Sequence, residues 1–205
     1  MSLVLLKEKE KGYRHQVHDL RGLLSSFFGE FLESFFPEVH RQIDAGSFIQ
    51  LPSRRKDEVV VYRARTNMND LLIYVLIDDG ETNENADIHK RMYTVFNSLY
   101  NMYGMPIIPI LLPLEVSTTN SESCKISVSY PDADMPTFEY YKVKVQKNNW
   151  RNYLRNDNVV AAALLYQMDF PEFERMEFQM EILQMLGRLH SNPSEHRTMY
   201  HFFSD

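Results

Sequence analysis

Asp57 and Asp78 stand at the two ends of a hairpin pattern and are the residues best placed to do chemistry together. Between them run Asp57-Glu-Val-Val-Val-Tyr-Arg-Ala-Arg65, a polar turn at Asn67-Met-Asn-Asp70, and Leu71-Leu-Ile-Tyr-Val-Leu-Ile77. Acids at the start of one antiparallel strand and the end of the next can lie within a few ångströms of each other. Such a pair suits a hard divalent cation such as Mg²⁺, which takes carboxylate and water oxygens. A solvated strand end followed by the acidic turn Asp79-Gly80-Glu-Thr-Asn-Glu-Asn85 is the alternative reading of the same residues. Other chemistry is thin. Of seven histidines only His196 and His201 suggest a metal-ligand spacing, and five residues apart they face different directions on a helix. There is no nucleophile elbow, Gly-rich phosphate loop or Cys/His pair.

The elements that must hold the two acids follow from periodicity. Leu20, Leu24, Phe28 and Leu32, with Leu23, Phe27, Phe31 and Phe35 beside them, predict one helix from about His18 to Phe36, stopped by Pro37. A short strand is expected over Phe48–Leu51, then the hairpin, whose β-branched Val59, Val60, Val61, Ile73, Val75 and Ile77 favour strands. Met92, Val95, Phe96, Leu99 and Met102 predict a helix over Ala86–Tyr103, which Gly104 is suited to close. Pro106 to Pro113 is continuously apolar, as a buried strand with parallel neighbours would be. A strand around Ile126–Val128 and another over Phe138–Gln146 come next. Helices are predicted at Trp150–Leu154, Val159–Met168, Phe173–Leu189 and after Pro193. Met176, Met180 and Met185 suit either buried packing or a soft partner-binding face.

A chain of 205 residues with 44% hydrophobic content can bury one sizeable core. Its single cysteine, Cys124, excludes an internal disulfide and a multi-thiolate zinc site. Neither a membrane span nor a secretory signal is visible, so a cytoplasmic setting without a membrane partner is expected. A net charge of −6 argues against constitutive, tight nucleic-acid binding, which draws its affinity from phosphate neutralisation. Two local basic rims remain compatible with DNA: Arg54-Arg55-Lys56, and the spread of Lys142, Lys144, Lys147, Arg151 and Arg155.

Three blocks in order carry a family resemblance. They are Phe27-Phe-Gly-Glu-Phe-Leu-Glu-Ser-Phe-Phe-Pro-Glu38 with Gln42-Ile-Asp44; Lys90-Arg-Met-Tyr93 with Leu99-Tyr100, Tyr103-Gly104 and Pro106-Ile-Ile-Pro-Ile110; and Trp150-Arg-Asn-Tyr-Leu-Arg155 with Asn158 and Ala161-Ala-Ala-Leu164. Together they resemble the transposase-like, recombination-promoting nucleases of the PD-(D/E)XK superfamily over roughly residues 15 to 203. The resemblance implies an α/β restriction-endonuclease-like core, αβββαβ with a mixed sheet, and Mg²⁺-dependent hydrolysis of DNA linked to mobile elements. The charged, patternless segment 1–14 is expected to be frayed, with the nuclease-fold core at 15–146 and a C-terminal helical extension at 147–205. Relatives usually continue past the point matching Asp205.

The resemblance also puts the family's first metal-binding Asp on Asp57 and its second acid, usually Glu, on Asp78. Its third residue, usually Gln or Lys, falls on Gly80, which can neither orient a water nor steady a phosphate. The N-terminal block departs as well: the family's upstream acid falls on Val17, and its Phe-Lys on Leu20-Arg21. A living site would bind Mg²⁺ through Asp57, Asp78 and the backbone beside Asp79, with Asp79 or Glu81 as an extra ligand. Lys90 or Arg91 would then replace the missing side chain, and Glu33 or Glu38 could line the cleft. The expectation is a nuclease-fold protein with a degenerate site, weakened or inactive, acting through DNA or protein binding. An active Mg²⁺ endonuclease and a pure protein-interaction module, homodimeric or with another protein, are its rivals.

Overall fold

Six consecutive residues, Leu72 to Ile77, are buried, and the layers of the fold follow from covering both sides of that strand. The computed structural model describes residues 17–52, 58–78, 85–114, 124–128, 138–146, 149–166, 170–189, 197, 199, 202 and 203. Their strands are β1 (Ile49–Leu51), β2 (Val59–Arg65), β3 (Asp70–Asp78), β4 (Ile107–Pro113), β5 (Cys124–Val128) and β6 (Phe138–Lys142). They form one mixed sheet in the order β1-β2-β3-β4-β6-β5. β1, β2 and β3 make an antiparallel meander, β4 runs parallel to β3 and β6 parallel to β4, and β5 turns antiparallel at the edge. The fold is therefore α/β with a mixed sheet, as the order of elements in the sequence predicts.

The apolar run before Pro113 is the parallel strand expected of it, in register with β3 from Leu72↔Ile107 to Asp78↔Pro113. Pairing with β6 starts at Ile110, one residue beyond Pro109, which has no N–H to donate. The predicted strand over Phe138–Gln146 is shorter, ending at Lys142, although Val143 still donates its amide to the Leu111 carbonyl.

Strand parity sorts the side chains into two cores. Val60, Tyr62, Ala64, Ile73, Val75, Ile77, Ile110 and Leu112 pack on one face against α1 (residues 17–26), α2 (Phe28–Phe35) and α3 (Pro37–His40). The same core takes in α5 (Trp150–Arg155), α6 (Val159–Tyr166) and α7 (Glu172–Arg188). Val59, Val61, Tyr74, Leu76, Leu111, Phe138 and Tyr140 pack on the other face against Ile88, Met92 and Val95 of α4 (Asn85–Tyr103). No helix among the described residues is long and apolar enough to cross a membrane.

The single helix predicted over His18–Phe36 is corrected to α1 and α2, broken at Phe27. The periodicity misses the break because the i→i−4 amide bonds continue through it: Phe27 to Leu23 at 2.8 Å and Phe31 to Phe27 at 3.0 Å. Phe27 stays buried, so the apolar stripe keeps its spacing across a local change in backbone angle. Gly104 ends α4 with φ +61°, its amide bonded to the Tyr100 carbonyl at 2.8 Å, a left-handed closure that favours glycine. Asn158 caps α6, its Oδ1 accepting the Ala161 amide at 2.9 Å. Trp150 lies in the helical layer, edge-on to Phe170 and Phe178, with the Arg151 guanidinium 4.2 Å above its ring centre. After Pro193 only residues 197, 199, 202 and 203 lie among those described; all are helical, and Met199 is buried.

Two substitutions gauge these layers in urea denaturation. Tyr74→Phe deletes a fully buried hydroxyl that donates to the Met92 carbonyl at 2.6 Å, and about 1 kcal/mol of stability should go with it. Phe31→Ala leaves a void in the larger core and should cost about 3–5 kcal/mol.

Candidate functional site

β3 has covered faces over its whole apolar run, so Asp78 at its C-terminal end is the first position beyond that run able to carry a charge. Its backbone carbonyl accepts the Leu114 amide at 2.9 Å, fixing the strand end against β4. Its carboxylate does not stand open. Arg91, from the second turn of α4, places Nη1 3.0 Å from Asp78 Oδ1 and Nη2 3.0 Å from Glu58 Oε2. One guanidinium thus ties the start of β2, the end of β3 and the crossing helix together, using the planar fork that suits carboxylates. Asp78 and Arg91 are largely covered, with side-chain exposures of 16% and 22%, whereas Glu58 is about half exposed at 49%. The backbone supports the arrangement, since Ile77 donates its amide to the Glu58 carbonyl at 2.7 Å.

A second polar group lies on the same face of the sheet. Tyr140 of β6, buried, has its hydroxyl 2.8 Å from Nδ1 of His89 on α4. Lys142 belongs to the same strand two residues on, and therefore to the same face. Burial holds the His89 imidazole below its ordinary range, and the positive charge of Lys142 adds to the shift.

Of the expected site residues, Asp78 and Arg91 are brought together. Lys90 is not: it is exposed, and its carbonyl serves Thr94 of the next turn. Arg65 pairs in register with Asp70 at the opposite end of the hairpin, roughly 26 Å from Asp78 at the usual strand rise. Asp57, Asp79, Gly80 and Glu81 lie outside the described residues, as do Arg54-Arg55-Lys56, Lys147, His196 and His201. Within the other basic spread, Arg151 is committed to Glu177, its Nε 3.0 Å from Oε1. Glu33 lines a groove of about 550 Å³ on the other face, with Phe28, His40, Phe48 and Tyr62, while Glu38 pairs with Arg41. Burial pushes the Tyr62 phenol in that groove up to about 12. The residues the sequence reading passed over are Glu58, hidden beside Asp57 at the strand start, and the His89–Tyr140 pair, 51 residues apart.

The described donors do not fit a resident Mg²⁺. Two carboxylates share Arg91 as a hydrogen-bond partner, and no group of three or more His, Cys, Asp or Glu among the described residues could hold a metal. A cation held by these two carboxylates competes with the guanidinium they share. No family model matches the sequence, and neither does any curated protein or solved structure.

His89 supplies a pH test. Its imidazole is held below the ordinary value in the folded chain, so its contribution to stability is present above about pH 6.5 and is lost as the pH falls toward the lowered value. Melting temperature should drop between pH 7 and 5, and the drop should be smaller in His89→Gln. At pH 7, Arg91→Met should cost about 1–3 kcal/mol in urea, because it leaves Asp78 largely covered and without its guanidinium.

Proposed function

We propose that this chain is a PD-(D/E)XK-type nuclease-fold protein, similar to the transposase-like nucleases, with a degenerate metal site. It works as a weakened or inactive nuclease and acts through DNA or protein binding. Three features support the reading. Helix, three-strand meander, helix and parallel fourth strand follow one another in the order that such a core has. The acid at the motif position, Asp78, sits at the C-terminal end of the strand that joins meander to parallel strand. Gly80 occupies the third motif position.

The observation that carries the degenerate reading is the 3.0 Å bond from Arg91 to Asp78, shared with Glu58. A carboxylate neutralised by a guanidinium is a poor ligand until that partner leaves, and glycine at position 80 offers no group to position water. Loss of such positioning costs hydrolysis several orders of magnitude. The same bond favours one rival, an active endonuclease using Mg²⁺ with Asp57 and Asp78, in which Arg91 supplies the missing third side chain.

Plasmid nicking in Mg²⁺ or Mn²⁺ separates the two. With the wild-type chain, Asp57→Ala, Asp78→Asn and Arg91→Ala compared side by side, the expected outcome is no metal-dependent cutting above the Asp57→Ala background. Robust cutting lost in Asp57→Ala and Arg91→Ala alike establishes the endonuclease instead. A gel-retardation series in rising salt covers the binding half. Retardation that weakens with salt indicates phosphate contacts, and its complete absence leaves a protein-interaction module.

A further inference from the structure

Helix α7 is apolar on two opposed faces, and the core uses only one. Phe178, Ile182, Met185 and Leu186 are buried against α5 and the rest of the larger core. On the other side Phe173, Met176, Met180 and Leu183 are 76%, 61%, 62% and 65% exposed. Their spacing is three, four and three residues, the seam of a two-helix knobs-into-holes contact. Gly187 stands at the next seam position with open space around it. A helix that served only the core would be polar on this side.

We propose that this seam is a homodimer interface, in which α7 packs antiparallel against α7 of a second copy about a two-fold axis level with Phe178. Three observations select that occupant. First, the stripe is its own mirror in spacing: its members lie five and two residues before position 178 and two and five residues after it. An antiparallel pair centred there sets Met176 against Met180 of the second copy, and Phe173 against Leu183. A two-fold contact demands this self-complementarity, and the stripe meets it.

Second, the charges beside the seam select direction. Glu177 and Gln184 flank one side, Glu172 and Gln179 the other. Antiparallel packing sets each flank against its own copy, so Glu172 meets Gln179 and Glu177, already bonded to Arg151, meets Gln184; parallel packing sets two carboxylates, Glu172 and Glu177, beside that one guanidinium. Third, the four side chains expose roughly 500 Å², a patch of the size that usually has a function. Two such patches with their flanks reach about 1,000–1,200 Å², the lower limit of a specific interface. The dimer is thus weak and concentration-dependent.

Sedimentation velocity of the full chain up to about 100 µM, spanning the micromolar range expected of so small an interface, should show the mass rising from 24.3 kDa toward twice that value. Met180→Glu, at an exposed position, should weaken association at least tenfold with an unchanged circular dichroism spectrum and melting temperature. A chain monomeric throughout, or a dimer indifferent to Met180→Glu, overturns the proposal. Geometry is read by oxidative crosslinking in a Cys124→Ser background. Mixed Met176→Cys and Met180→Cys chains should join to each other in preference to themselves. Self-joining of Met176→Cys chains with equal yield overturns the antiparallel arrangement.

Discussion

The architecture depends on β3 being covered on both faces. Six buried residues in a row leave no place for charge along the strand, and burying an unpaired carboxylate there would be prohibitive. Helices must therefore occupy both sides of the sheet: α4 on one, the larger set on the other. Polar chemistry is driven to the strand ends. That constraint puts Asp78 beside the start of β2 and beneath α4, and it explains why the groups able to do chemistry collect there.

The Arg91 fork then determines what Asp78 can do. Its bonds span three elements, so α4 is tied to the sheet by charge as well as by Tyr74 and Met92 beneath it. Partly covered ion pairs of this kind are weak evidence for stability, because desolvation offsets much of the attraction. They are better evidence of geometry, since Arg91 holds Asp78 and Glu58 at one end of the hairpin with the same planar group. Among the described residues both carboxylates are already bonded to Arg91, and a cation or phosphate there competes with those bonds.

Much of this was legible in the sequence where a single period dominated. The β-branched hairpin, the apolar run before Pro113 and the α4 stripe each state their own structure, and Gly104 marks where α4 stops. Phe27 was not legible, because a local change in backbone angle preserves the spacing that periodicity reads. Side-chain partnership is harder still. Arg91 could be named beside Lys90 as a cation for Asp78, but the choice between them depends on how the crossing helix lies, and Glu58 is 33 residues away. The His89–Tyr140 contact joins a helix to a strand two sheet positions from β3, a relation no local pattern encodes.

Trp150, the chain's only tryptophan, is nearly fully buried among Phe170, Phe178 and the Arg151 guanidinium. Intrinsic indole emission from this protein therefore originates wholly in the α5–α7 layer, whereas the sheet and α4 contribute only phenolic signal. A red shift on denaturation reports the loosening of that helical layer. Where it coincides with loss of far-ultraviolet ellipticity, the two sides of the sheet come apart as one cooperative unit.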